Sequence, residues 1–383
     1  MYAEKASLLG SRAMDFWLVG GASIVAWVVL KIASPMRSEY WSISRHVGNL
    51  AAFSSTAALV VNYPHFMVSY KLSYGQGRAF ITRHWWQLIM VPLLLCWAMA
   101  TAWFFMRHSD MIFTPLNQFD WASGEIFGRK IMGSLVSLMY FTVGWHYSKQ
   151  MFGIMMVYAK FDRYKLSNLQ RNATKCGLFG VWFVNYVAFS AYGATHDYSG
   201  ISYSDIAAPS WLKDVMWGFY IASIASFLYL VVYKKYREDG QKPSGLFLLP
   251  MISFAIWWIP SFVQNDFYML LVPFFHSLQY LCFVRKSESV AFSERDVSNG
   301  KSSFARFSVY ALGLVFAGWL SFEMIPAWLD HGRSELRIEG LGFFYICATL
   351  FINIHHYFID NVLWRFQTSD VAKRLVKQGQ NCD

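Results

Sequence analysis

The sequence predicts an all-α fold, a polytopic transmembrane helix bundle of about ten spans with both termini cytoplasmic. Three observations predict it. The 383 residues are 56% hydrophobic and only 15% charged, against about 25% charged in soluble globular proteins. Apolar stretches of about 18 or more residues recur along the whole length, as membrane spans require. Lys and Arg fall unevenly on alternate sides of those stretches, as a topology signal does. Residues 1–383 read as a single integral membrane domain with a basic cytoplasmic tail over 366–383. The net charge of +10 sits in short loops between apolar spans, so no nucleic-acid partner is expected.

The predicted spans are 14–34, 47–70, 86–106, 131–159, 174–195, 211–233, 246–263, 266–285, 306–326 and 340–364. The first follows Lys5 and Arg12 with no small-residue cleavage site after it, so it reads as an uncleaved helix. The seventh and eighth are interrupted by Pro250, Pro260 and Pro273 and divided only around Asn265 and Asp266. They read either as two spans or as one re-entrant or broken element. Loops at Asn117 to Glu125 and His196 to Asp205 carry aromatic and acidic residues, and the polar segment Ser287 to Ser303, with Asn299-Gly300, reads as a flexible loop. Of the 33 Lys and Arg residues, 23 lie on the side of the N-terminus and 9 on the other, with Lys149 inside a span. Positive loops stay in the cytoplasm, which places both termini inside, in a cytoplasmic (inner) membrane. The tail after Arg365 is basic and reads as lying on anionic lipid or as solvated chain.

Ionisable residues inside a bilayer are costly and mark function. Here they share a pattern. Span two ends with Asn62-Tyr63-Pro64-His65, span four holds Trp145-His146-Tyr147-Ser148-Lys149-Gln150, span eight holds Phe275-His276-Ser277-Leu278-Gln279-Tyr280, and span ten holds Asn353-Ile354-His355-His356-Tyr357-Phe358-Ile359-Asp360. All four spans run toward the cytoplasm. At about 1.5 Å per residue, His65, His276, His355 and His356 lie at similar depth, whereas His146 lies deeper unless its helix extends or tilts. His84 can join from the rim.

Neutral imidazole is the commonest protein ligand for iron, zinc and copper, and imidazoles on separate helices can enclose a metal in a bundle core. The expected ligands are His65, His146, His276, His355 and His356, with Asp360 as a further ligand or an orienting carboxylate. The spacings His146–Gln150, His276–Gln279, Asn62–His65 and Asn353–His356 predict amide partners that fix the rings. Lys149 is expected to pair with Asp360 or to hold an anionic group. Asp360, Lys149 and Gln150 are the candidate catalytic side chains. His46, His108, His196 and His331 lie in loops or on the outer side and are not assigned to the site. Met151, Met155, Phe274 and Phe275 read as packing or as the wall of a lipophilic pocket.

Two other readings use the same residues. One is a metal-free proton or substrate pathway, as in a proton-coupled transporter. The other is hydrogen-bonded packing in a non-catalytic membrane assembly protein. The chain has no phosphate-binding Gly-rich loop, no G-x-S-x-G, no H-E-x-x-H and no two-cysteine zinc pattern. Cys96, Cys176, Cys282, Cys347 and Cys382 are scattered and read as free thiols.

The segments Pro64-His65, Trp145-His146, Phe275-His276-Ser277-Leu278 and His355-His356-x-x-x-Asp360 resemble Brp/Blh-type β-carotene dioxygenases, polytopic and histidine-rich metalloenzymes. That family has Pro-His-Gly near an early helix and Trp-His-Ser followed by Arg-His later. Here Phe66 stands in place of the Gly, Phe275 in place of the Trp, and Gln279-Tyr280 where Arg-His falls. The resemblance implies iron held by residues matching His65 and His276. Membrane fatty-acid desaturases also carry a histidine-rich dimetal site, but their H-x-x-x-H and H-x-x-H-H boxes are missing. The expected function is therefore a membrane oxygenase or oxidase, iron-dependent with one or two ions rather than zinc- or copper-dependent. Its substrate is a lipophilic small molecule drawn from the membrane lipid, such as a lipid, isoprenoid or carotenoid. An electron-donor protein is its expected partner.

Overall fold

A computed structural model describes residues 8–33, 53, 56–108, 123–190, 195–198, 200–204, 209–260, 262, 266–296, 303–332 and 342–376. Helices occupy each of the ten predicted segments. In chain order, α1 is Arg12–Ala33. The second, α2, is a π turn at Ala58–Asn62 running into Tyr63–Tyr74. Then come α3 (Arg78–Arg83), α4 (Trp86–Arg107), α5 (Gly124–Phe161) and α6 (Asn168–Ser190). A small hairpin, β1 (Thr195–Tyr198) and β2 (Ile201–Ser204), precedes α7 (Ser210–Asp239) and α8 (Gly245–Trp258). The chain continues through α9 (Asp266–Asp296), then α10, which starts as Ser303–Trp319 and carries on through Leu320–Met324 to Ile325–Asp330. It closes with α11 (Phe343–Leu363) and α12 (Asp370–Arg374).

Among the described residues, five helices are long and apolar enough to cross a membrane: α1, α4, α5, α7 and the Phe307–Asp330 part of α10. The bundle is apolar on the outside as well as the inside. Trp97, Val309, Leu312 and Trp328 each expose about 70% of their surface, a pattern water penalises and lipid does not.

The helix α5 is the axis of the molecule and packs against α4, α6, α8, α11 and β2. Its 38 residues make a rod of about 57 Å, well beyond the roughly 30 Å hydrocarbon layer. Ser123 caps it by accepting the amide N–H of Ile126 at 3.3 Å. Gly144 lets α6 come close: a side chain there would run into the indole of Trp182. The hairpin pairs Thr195 with Ser204 and Tyr198 with Ile201. Its turn needs Gly200, at φ +81°, a backbone region costly for other residues, and Asp197 Oδ1 accepts the Gly200 N–H at 2.9 Å.

Two sequence expectations are corrected, and one left open is decided. The segment from Ser287 is not a loop, because α9 runs on to Asp296. There Glu288 is buried between Lys71, at 2.5 Å, and Arg374, at 3.9 Å, and Ser287 Oγ donates to the Val371 carbonyl. Asn299-Gly300 lies outside the described residues. The tail does not leave the bundle at Arg365: Val371, Ala372 and Leu375 are buried, and α12 packs on α9, while 377–383 lie outside the described residues. Finally, 246–285 is two separate helices, with α9 continuous through Pro273. The 14 residues of α8 span only about 21 Å. Asn265, His46 and most of the predicted loop from Asn117 are outside the described residues, as is Cys382; the other four cysteines are free.

Candidate metal centre

Four helices deliver one imidazole each. His65 enters just after the π turn of α2, where Pro64 at the head of the following segment removes one backbone N–H. The widened turn takes up that lost bond. His146 comes from the middle of α5, His276 from α9 and His356 from α11. One ring nitrogen from each lies within 4.8 Å of all the others, and the four side chains are 0 to 6% exposed. The expected depth mismatch of His146 does not keep it out of the group, although fourteen residues lie between it and Phe161 at the end of α5.

The rings are held from outside the group. Ser69 Oγ donates its only proton to the Phe66 carbonyl at 2.7 Å. It must therefore accept from His356 Nδ1–H, which lies at 2.7 Å. That fixes the tautomer of a neutral ring: His356 Nε2 carries a bare lone pair. His65 Nδ1 is hydrogen-bonded to Ser277 Oγ at 2.6 Å. Tyr147 stacks on His276 with centroids 3.9 Å apart, and Tyr357 on His146 at 4.8 Å.

Three of the inward-facing atoms lack partners. His65 Nε2, His356 Nε2 and Asp360 Oδ2 are buried without a hydrogen bond, a costly state unless something binds them. Asp360 Oδ2 stands 3.4 Å from His356 Nε2 and 3.9 Å from His146 Nε2, while its Oδ1 accepts the Tyr280 hydroxyl at 2.8 Å. His146 Nε2 and His276 Nε2 face each other at 3.0 Å. Two ligands on one ion with bonds of about 2.1 Å sit at about that separation. Four imidazoles and one carboxylate fit a first-row metal, in the donor set as well as the spacing.

The remaining predicted residues go elsewhere. His355 is not in the group. Successive residues on a helix point about 100° apart, so His355 and His356 cannot both face one centre. His355 Nδ1 instead meets the Tyr70 hydroxyl at 3.1 Å. The Lys149 ammonium does not pair with Asp360: it donates to Asn361 Oδ1 and lies 4.5 Å above the Trp145 ring. Gln150 does not orient His146. Its Nε2 donates to the His276 carbonyl at 3.2 Å and to Gln279 Oε1 at 2.9 Å. Gln279 in turn donates to the Val19 carbonyl within the π turn of α1. Asn353 is taken up by the Thr349 carbonyl and Tyr357. His84 packs on Phe80 outside the group, and burial together with the nearby Arg365 and Arg83 holds its pKa below the ordinary imidazole value. The hydroxyls of Ser69, Ser277 and Tyr280 do what the amides were expected to do. Each reaches to another helix, Ser69 to His356, Ser277 to His65 and Tyr280 to Asp360, so spacing within one helix gave no sign of them.

Two cavities meet at the group. One, with a volume of about 320 Å³, touches His65, His276 and His356 and is walled by Tyr63, Tyr140, Tyr198, Phe322 and Tyr345. The other, with a volume of about 330 Å³, touches His146 and Asp360 and is lined by Lys149, Lys175 and Arg365. Met151 and Phe275 line a smaller space beside His276. Met155 is core, and Phe274 packs against Phe53 and Phe275.

No protein-family model matches the chain, no curated protein matches it, and no solved structure matches it.

Proposed function

We propose that this chain is an integral protein of a cytoplasmic membrane, crossing it about ten times with both termini inside. We propose that it is a metal-dependent oxygenase or oxidase acting on a lipophilic substrate, a lipid, isoprenoid or carotenoid. The carrying observation is the convergence of four buried imidazoles from four helices within 4.8 Å. His65, His146, His276 and His356 would hold the ion, with Asp360 beside them. Iron is the metal this donor set and redox chemistry favour, in a mono- or dinuclear centre. When bound, such an ion would supply the redox chemistry, with electrons from a donor protein. The chain's own contribution is placement. Ser69 and Ser277 hold two rings by Nδ1, Tyr147 and Tyr357 stack two others in place, and Tyr280 holds one oxygen of Asp360 so that the other faces inward. The Tyr- and Phe-walled cavity supplies an apolar, water-poor berth against three of the rings, and a substrate dissolved in the bilayer can reach it sideways between helices. The motif resemblance to Brp/Blh-type β-carotene dioxygenases supports this chemistry.

Elemental analysis of gently purified protein tests the reading. About one or two equivalents of iron are expected, falling to background in His276→Ala. First-row metal well below one equivalent in the wild-type protein sinks it.

A second reading has its own observation. Cavities on two sides of one titratable group are what a proton-coupled transporter needs. Uptake into proteoliposomes that depends on a proton gradient, with no bound metal, would establish it instead.

A further inference from the structure

The cavity beside His146 and Asp360 has an uneven electrical character. Three cations line it, Lys149, Lys175 and Arg365, together with the amides of Gln150 and Asn361. Asp360 is the only carboxylate among its lining residues, and it is turned toward Tyr280 and the imidazoles. The charges of Arg365 and Lys175 both bear on the Lys149 ammonium, which shares the cavity wall with them. Lys149 is kept there by the Asn361 amide oxygen and the Trp145 face, and Lys175 by the Phe152 face at 5.0 Å. These are partners that hold a cation without neutralising it. The rest of the wall is apolar, with Ile154, Met156, Phe283 and Leu375 among its residues.

We infer that this cavity binds the anionic head group, carboxylate or phosphate, of a single-chain amphiphile whose apolar chain lies along the same wall toward the histidines. The inference rests on reading the site as one for a lipophilic substrate, and it narrows that class to acidic amphiphiles. Lysine and arginine bind such oxyanions through charge-assisted hydrogen bonds, and a neutral hydrocarbon leaves Lys149, the half-buried one of the three, without a counter-charge.

The test is binding of spin-labelled stearate, its methyl ester and inorganic phosphate to full-length protein in a nonionic detergent, with metal content measured on the same samples. The acid is expected to bind at least about tenfold more tightly than the ester, the loss typical of one or more charge-assisted contacts. Inorganic phosphate is expected to compete only weakly. K175Q/R365Q, on exposed side chains, and K149Q are each expected to cost about tenfold in acid affinity while metal content holds. Equal binding of acid and ester, or wild-type affinity in both variants, overturns the inference. Competition by inorganic phosphate as strong as that by stearate overturns its amphiphile part. Absent metal with intact discrimination between acid and ester fails the enzyme reading and leaves the head-group site standing.

Discussion

The Ser69 hydroxyl shows how much one small side chain can decide. Its proton is committed to a backbone carbonyl, so its oxygen can only receive, and the His356 ring is set with its lone pair facing the other three rings. Ser69→Ala removes the acceptor and frees the ring to turn. Loss of such an orienting partner costs about 10–100-fold in metal affinity, to be read by competition with a chelator of known strength. His355→Ala carries the opposite expectation: metal content stays at the wild-type level, because that ring is engaged with Tyr70. Tyr280→Phe releases one oxygen of Asp360 and is expected to weaken the centre less than loss of Ser69, since the Tyr280 side chain still packs against His65 at 4.2 Å between ring centroids.

At the scale of the element, the helices were legible and their lengths were not. The apolar runs located the helices, and among the described residues five of them are long and apolar enough to cross a membrane. Length depends on where partners happen to lie. The polar stretch after Arg285 stays helical because Glu288 finds Lys71 and Arg374, residues far away in the chain. Four of the five predicted imidazoles do meet, since intramembrane histidines announce themselves against an apolar background. Their hydroxyl partners were hidden, because serine is cheap inside a helix and draws no notice there. Pairing by helical spacing alone misassigned Gln150, Gln279 and Asn353, whose amides found backbone and neighbouring side chains closer at hand. Gly144 belongs to this scale. Any larger residue collides with Trp182 two positions before His146. Gly144→Val is expected to lower stability by about 1–3 kcal/mol, the usual range for overpacking, and to shift α5 enough to reduce metal content, both measured on detergent-solubilised protein.

For the whole molecule, the apolar exterior and the enclosed polar group point to a bundle whose stability and cargo are linked. A ligand that binds only the folded state stabilises it by about 4 kcal/mol at a thousandfold excess over its dissociation constant. Stripping the metal with a chelator is therefore expected to lower the thermal transition by several degrees, and His276→Ala should melt at that lower temperature with or without chelator. An unchanged transition on chelation would mean that the four rings carry no ion. The topology is open to labelling: a single cysteine introduced at Arg163 is expected to react in inverted vesicles, and one at Asp197, in the hairpin, in intact cells.

The bond from Gln279 to the Val19 carbonyl reaches beyond local packing. That carbonyl lies in a widened turn that begins at Trp17, and the same glutamine clasps Gln150, whose own amide grips the backbone of His276. The leading helix is thus latched to the histidine group through a three-part clasp, and prising it away would leave a bare amide in oil and a loosened imidazole. Shearing off the front of the chain should dim the centre long before it unravels the barrel of helices around it.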